Sequence, residues 1–183
     1  MKKSTILFIT LSFSLLSYSQ HKEIKELTPE ILQGIKTDIE NKTVKFKATL
    51  STSEMTPEQI EFSVDTFKIE QIAAKRMDID YSTAGMNNTV NDLTASYNKL
   101  LNKYYQKLLK LLKVEDKKVL MNAQKAWISY RDAEEKLIWT MTNDKYSGGG
   151  TIQSNFATGS YNYLVKNRAL EIYDYYDSII KNN

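Results

Sequence analysis

The sequence contains no cysteine, and histidine occurs once in 183 residues, at His21. The absence of cysteine excludes disulfides, thiol nucleophiles, iron–sulfur clusters, cysteine-ligated zinc and a cysteine-linked lipid anchor. A lone histidine excludes a three-histidine zinc site and a Glu-x-x-His di-iron pair, and it leaves no Ser-His-Asp triad in the interior of the chain. We therefore expect neither a metal nor another cofactor.

Helix breakers are also scarce, with two prolines and six glycines in the chain. Long stretches without either residue favour helices over a turn-rich β-sandwich. Apolar residues make up 42% and charged residues 26% of the sequence, which is the composition of a globular protein rather than a disordered one.

Residues 1–20 have the layout of a secretory signal peptide. Lys2 and Lys3 precede an apolar run over residues 6–16, and polar residues 17–20 follow it. The run is too short to span a membrane, and the alternative interpretation is a buried N-terminal helix. We expect cleavage close to Gln20 and export to the periplasm or the medium.

The mature chain is expected to be almost neutral. Loss of Lys2 and Lys3 lowers the formal net charge from +3 to +1. A nucleic-acid-binding protein needs a basic face to neutralise phosphates, and a peripheral membrane anchor needs a polybasic patch. We therefore expect no nucleic-acid partner and no membrane anchor.

Residues 21–79 are predicted to form an N-terminal helical extension of two helices. Each helix begins with the same signal, Thr28-Pro29-Glu30 and Thr56-Pro57-Glu58, which supplies an N-cap, a first-turn proline and an acid. Apolar residues then recur at helical spacing, with Ile31, Ile35, Ile39, Phe46 and Leu50 in the first helix and Ile60, Val64, Phe67 and Ala74 in the second. Alternation over residues 44–50 and 60–64 also permits short strands, but no glycine hairpin turn accompanies it.

Residues 80–183 are predicted to contain three further helices after a brief break over residues 81–88. The third helix has an apolar stripe of Leu101, Tyr104, Tyr105, Leu108, Leu111 and Leu112, with Lys99, Lys103, Lys107 and Lys110 on its solvated side. The fourth, over residues 116–144, is predicted to turn Leu120, Ala123, Trp127, Tyr130, Leu137 and Met141 inward. The last, over residues 151–180, carries Tyr161, Leu164, Arg168, Ile172, Tyr175 and Ile179 along one side. Short loops predict antiparallel neighbours, so the chain is expected to be an all-α, antiparallel bundle of four to five helices.

Candidate functional residues lie on the fourth helix and near its two neighbours. Gln124, Trp127, Tyr130, Arg131 and Glu134 or Glu135 follow one another at helical spacing, so Arg131 can reach either glutamate. With Asp132, Gly149, Gly150 and Arg168 they predict a polar patch at the end of the bundle where residues 148–150 make a glycine turn. The alternative is that the two arginines are internal struts between helices.

Two other functional interpretations of the same region have less support. Asp132, Glu134 and Glu135 crowd together as the acids of a glycosidase do, but acids adjacent on a helix do not face one another across a sugar. The glycine turn could cradle an anion, yet no Lys-Ser or Lys-Thr follows it as in a phosphate-binding loop. The twelve tyrosines are expected to be mostly half-buried, and a surplus of exposed ones indicates a protein-binding surface.

Four segments of the second half carry a family resemblance. They are Leu101-Asn102-Lys103-Tyr104-Tyr105, residues 123–133 with their Gln-x-x-Trp-x-x-x-Arg-Asp pattern, Gly148-Gly149-Gly150-Thr151-Ile152, and Asn167-Arg168. In these segments, over residues 80–177, the chain resembles the lysozyme inhibitor LprI-like family of exported helical bacterial proteins. Members of that family usually have cysteines that join the helices, and the matching positions here are Glu135, Ser160 and a residue near Asn88 or Thr89.

The resemblance implies a binding protein rather than an enzyme, with a lysozyme-like protein as its partner. It places the binding residues at Gln124, Trp127, Arg131, Asp132, Gly149, Gly150 and Arg168. An exported structural or interaction protein without inhibitory activity is the alternative, and a peptidoglycan hydrolase is a third. The missing cysteines imply that packing alone makes the bundle rigid.

Overall fold

The computed structural model describes residues 23–181, and these residues form helices without any strand. The helices are α1 (Pro29–Leu50), α2 (Pro57–Ile79), α3 (Thr83–Leu111), α4 (Val114–Met141), the single turn α5 (Asp144–Ser147) and α6 (Ile152–Lys181). The all-α bundle predicted from the sequence is confirmed. The predicted signal peptide and His21 lie outside the described residues.

The starts of the first two helices are confirmed where the sequence places them. The side chains of Thr28 and Thr56 accept hydrogen bonds from the backbone N–H groups of Ile31 and Gln59. Gln59 closes a capping box, because its side-chain oxygen also accepts from the N–H of Thr56 at 3.0 Å. The strand alternatives over residues 44–50 and 60–64 are therefore wrong.

Helix α3 begins earlier than the predicted break over residues 81–88 allows. Ser82 caps it by accepting a hydrogen bond from the N–H of Gly85 at 3.0 Å, and the Asp80 carboxylate accepts from the Ser82 hydroxyl at 2.6 Å. A Cβ atom on residue 85 would lie 2.1 Å from the Asp80 side chain. The glycine that the sequence suggests as a breaker is instead needed for a close approach inside the first turn of the helix.

Helices α3 and α6 form the centre of the bundle and run parallel to each other. At their first turns the Asn155 side chain donates to the carbonyl oxygen of Thr83 at 3.1 Å, and towards their C-terminal ends the rings of Tyr104 and Tyr173 meet edge to face. The buried core lies mostly between them, with a contribution from the start of α4; it consists of Tyr97, Leu100, Leu101, Tyr104, Leu108, Leu120, Val165, Ala169, Ile172, Tyr173 and Tyr176.

Helix α2 packs across this pair in the opposite direction through a ladder of charged side chains. Lys103 of α3 lies 2.7 Å from Glu61 and 2.5 Å from Asp65, Lys107 also pairs with Glu61, and Arg76 pairs with Asp92. The prediction that Lys103 and Lys107 face solvent is wrong, because both are partly buried against α2. Helix α1 packs on α2, where Phe46 stacks on Phe67.

Glu70 joins all three of these helices. Its carboxylate accepts from Lys166 of α6 at 2.6 Å and from the Tyr97 hydroxyl of α3. Burial opposes ionisation of Glu70, but the hydrogen bonds from Lys166 and Tyr97 outweigh it and lower the pKa of the carboxyl group. Burial, together with the Glu70 charge, raises the pKa of the Tyr97 hydroxyl.

Helix α4 lies against α6 and runs antiparallel to it, but it presents a different face from the predicted one. Its contacts are made by Leu120, Gln124, Trp127 and Arg131. Four residues predicted to point inward are exposed instead: Ala123, Tyr130, Leu137 and Met141. Two stripes of residues at helical spacing run along α4. The one that packs on α6 has fewer apolar side chains than the one that stays exposed.

The inward stripes of α3 and α6 need smaller corrections. Leu111 at the end of α3 and Tyr175 in the last two turns of α6 are exposed. The remaining residues that were predicted to point inward on α3 and α6 are buried or partly buried.

None of the helices within residues 23–181 has the length and apolar content needed to cross a membrane.

Candidate functional site

Arg168 is a buried strut between α6 and α4. Its side chain is 9% exposed. The Nε–H donates to the side-chain oxygen of Gln124 at 3.1 Å, and NH1 donates to Glu171 at 2.6 Å. The Glu171 carboxylate also accepts from the Tyr175 hydroxyl at 3.2 Å. Two of the predicted binding residues, Gln124 and Arg168, therefore bind each other.

Trp127 lies beside both arginines of the predicted site. The guanidinium carbon of Arg131 is 5.3 Å from the ring centroid, and that of Arg168 is 5.9 Å away. Both distances are within the range of a cation–π interaction. The indole is partly buried against the central core, so Trp127 joins α4 to the rest of the bundle.

Arg131 pairs with its neighbour rather than with the acids one turn later. Its Nε and NH2 atoms donate to one oxygen of Asp132 at 2.9 and 2.6 Å, so the predicted contact with Glu134 or Glu135 is not the one formed. Burial raises the pKa of the Tyr161 hydroxyl; the nearby Arg131 charge acts in the opposite direction. The Asp132 carboxylate is half exposed.

The glycine turn lies apart from this arginine cluster. Gly148 ends α5 in the left-handed conformation at φ 80°, and Gly149 and Gly150 follow at 84° and 97°. An L-residue with a side chain would be strained at all three positions. Tyr161, which neighbours Arg131, comes nine residues after Ile152 at the start of α6, or about 14 Å along the helix axis.

The structure thus divides the predicted site in two. Gln124, Trp127, Arg131, Asp132 and Arg168 form one cluster in the middle of the α4–α6 contact. Gly149 and Gly150 lie at the end of the bundle, in the turn before α6.

Exposed apolar side chains gather around that turn. Trp139 near the end of α4, Tyr146 in α5, and Ile152 and Phe156 in the first turns of α6 are all at least 45% exposed. We call these four residues the turn-end surface. They lie outside the inward stripes that the sequence predicts. An aromatic residue off the inward face of its helix is the signal that identifies Trp139, Tyr146 and Phe156.

A groove of about 610 Å³ separates α4 from α6 next to this surface. Glu134 and Ile138 line it from α4, and Phe156, Ser160 and Tyr163 line it from α6. Glu134 is the one carboxylate among the described residues that line it, whereas Asp132 lies on the arginine cluster. A two-carboxylate hydrolase needs a second acid facing the first, and the groove lining does not supply one.

Within residues 23–181, no group of three or more acidic, histidine or cysteine side chains has the geometry to hold a metal ion. The two residues with the strongest upward shifts in pKa, Tyr97 and Tyr104, lie in the central core rather than in a cleft, and burial causes both shifts.

A family model described as lysozyme inhibitor LprI matches residues 73–172, a range that runs from the end of α2 to the buried Ile172 of α6. No curated protein and no solved structure matches the chain.

Proposed function

The chain belongs to the lysozyme inhibitor LprI family, and from that membership we propose that it is an exported protein that binds a lysozyme-like muramidase and inhibits it. The family match is the observation that carries the proposal. In this proposal residues 80–183 are the inhibitory unit, residues 21–79 are a helical extension, and residues 1–20 are a signal peptide removed on export.

The turn-end surface is our proposed contact with the enzyme. Trp139, Tyr146 and Phe156 are rigid aromatic side chains that lose little conformational entropy on binding, and aromatic residues are enriched at protein interfaces. Gly149 and Gly150, both at positive φ, lie in the turn between Tyr146 of α5 and Ile152 of α6. The turn-end surface lies entirely within the matched range.

Binding rather than catalysis is favoured by how the polar residues are used. Arg168, Gln124 and Trp127 are engaged with one another and hold α4 on α6. The groove beside the turn offers one carboxylate, Glu134. These contacts support a scaffold that presents a surface, because Arg168, Gln124 and Trp127 already hold the two helices together.

An inhibition assay with matched variants tests the proposal. The purified chain should slow the lysis of a peptidoglycan suspension by lysozyme. Phe156→Ala and Trp139→Ala should each weaken inhibition by about tenfold to thirtyfold, the effect of removing an interface hot spot. Tyr175→Ala is the matched control, because this tyrosine is equally exposed but lies towards the far end of α6.

Several outcomes decide between the proposals. Lack of inhibition across lysozymes of different classes would reject the inhibitory function and leave an interaction protein of the cell envelope. Equal losses for Phe156→Ala and Tyr175→Ala would reject the turn-end surface. Release of sugars from peptidoglycan by the chain alone, abolished by Glu134→Gln, would reject binding without catalysis. Met1 retained on protein recovered outside the cytoplasm would reject signal-peptide cleavage.

A further inference from the structure

The exposed stripe on α4 has the spacing of a helix-pairing seam. Its residues follow one another at alternating steps of four and three positions: Val119, Ala123, Ala126, Tyr130, Ala133 and Leu137. This is the repeat by which two helices pack along their length. All six residues are exposed in the structure, with Val119 at 68% and Tyr130 at 52%. We call these six residues the α4 seam.

The seam is complementary to itself when a second copy runs in the opposite direction. Such pairing places Val119 against Leu137, Ala123 against Ala133, and Ala126 against Tyr130 of the other chain. Each large side chain at the centre then meets a small one, as close packing of two helices requires. The seam spans 19 residues, or about 27 Å of helix.

The side chains that border the seam on the side away from Trp127 are compatible with this pairing. Asn122, Ser129 and Lys136 each precede a seam residue by one position. In the antiparallel arrangement Asn122 lies opposite Lys136, and Ser129 lies opposite its own copy, so like charges do not meet. Antiparallel helices also align their dipoles favourably.

We propose that this chain forms a two-fold symmetric homodimer in which the α4 seams of two copies pack antiparallel. The turn-end surface adjoins the end of α4 and the start of α6, so a dimer presents two such surfaces at opposite ends. The inference does not depend on the proposed inhibition of lysozyme. Its test reports on mass and on distance between helices, not on activity.

Sedimentation equilibrium on the purified chain gives the first test. The wild type should have twice the mass of one chain at micromolar concentrations. Ala126→Glu should weaken dimerisation by about tenfold or more, because it places a charge against the partner's apolar surface without disturbing an exposed helical position in the monomer. Ala95→Glu, on the exposed side of α3, is the matched control and should leave the dimer intact.

Single cysteines then test the direction of pairing, since the chain has none of its own. Ser129→Cys should cross-link to its own copy under mild oxidation. Ala133→Cys alone should not, whereas a mixture of Ala123→Cys and Ala133→Cys chains should form mixed dimers. A monomeric wild type overturns the proposal, and so does cross-linking of Ala133→Cys with itself, because that requires parallel helices. An Ala126→Glu protein as dimeric as Ala95→Glu overturns the assignment to the α4 seam.

Discussion

Helices α2 and α4 both pack against the central α3–α6 pair, but they do so by different means. On α2, Phe62 stacks on Tyr173 with 3.5 Å between the ring centroids, and the acids Glu61 and Glu70 pair with lysines of both central helices. On α4, the contact with α6 is a short stripe that consists of apolar side chains and arginine contacts. The α4 seam remains exposed.

This difference separates a helix that completes its packing within the chain from one that does not. The α2 interface combines aromatic stacking with charged groups that are partly removed from water, so few of its groups are available to a partner. The α4 interface leaves apolar area uncovered, and large exposed apolar patches mark sites of association. The functional surfaces that we propose both involve α4.

The largest effect is expected for Tyr173→Ala, which removes the ring that Phe62 of α2 and Tyr104 of α3 contact. Loss of a buried aromatic side chain lowers the free energy of unfolding by about 3 to 5 kcal/mol. Urea denaturation measures the loss. Tyr163→Ala, an exposed tyrosine of the same helix, is the control and should change stability by less than about 0.5 kcal/mol.

Trp127→Ala is expected to cost about 2 kcal/mol, less than Tyr173→Ala. The indole is only partly buried, so the variant loses about half of the 3 to 5 kcal/mol of a fully buried aromatic residue together with its cation–π contacts. Thermal melts of the two variants should differ accordingly. If Trp127→Ala proved the more damaging of the two, α4 would be as firmly packed as α2, contrary to our comparison.

Acid is expected to weaken the α2 interface before the α4 interface. The native pKa of Glu70 lies below its ordinary value of 4.5 because hydrogen bonds from Lys166 and Tyr97 outweigh the effect of burial. The native state therefore binds this proton less tightly than the unfolded state does. The stabilisation is fully present above pH 4.5 and is lost as the pH falls through the lower native pKa.

Glu70→Gln tests this dependence on pH. The variant should be less stable than the wild type at pH 7, and the difference should shrink as the pH is lowered below 4.5. Glu134→Gln on α4 is a suitable control, since no ion pair between Glu134 and another described residue occurs in the structure. A constant difference between Glu70→Gln and wild type from pH 7 to pH 3 would contradict the assignment.

The smallest effect is expected for Asp132→Ala. Its carboxylate is half exposed and pairs with the adjacent Arg131, and an exposed ion pair contributes less than about 1 kcal/mol. The melting temperature should therefore stay close to that of the wild type. A marked fall in melting temperature would show that the Arg131–Asp132 pair supports α4. Weaker binding of lysozyme at an unchanged melting temperature would instead extend the proposed contact to Asp132.

Helix starts were predictable because their causes are local. Thr28 and Thr56 cap their own helices by accepting from N–H groups three residues later. Gly148 ends α5 in the left-handed conformation that glycine adopts without strain. The same local logic misjudged Gly85, since the need for glycine there comes from the approach of the Asp80 side chain.

The inward face of α4 was not predictable in the same way. The helix carries one stripe at Leu120, Trp127 and Arg131 and another at the α4 seam, and both have helical spacing. Which stripe is buried depends on where α6 lies. The lysines of α3 gave the same ambiguity, because Lys103 and Lys107 meet acids more than 30 residues away in sequence.

The candidate site was predictable in part. Gln124, Trp127, Arg131 and Arg168 do come together, as their spacing and the family resemblance suggest. Their separation from Gly149 and Gly150 follows from the length of α6 between the turn and the cluster.

The sequence by itself determined the helical class, the ends of most helices and the family, because these depend on residues that are neighbours along the chain. The tertiary structure decided that α3 and α6 run parallel, that lysines of α3 pair with α2, and that the α4 seam faces outward. Burial and charge pairing depend on the positions of distant elements, so the same amphipathic pattern can serve either the core of one chain or its contact with another.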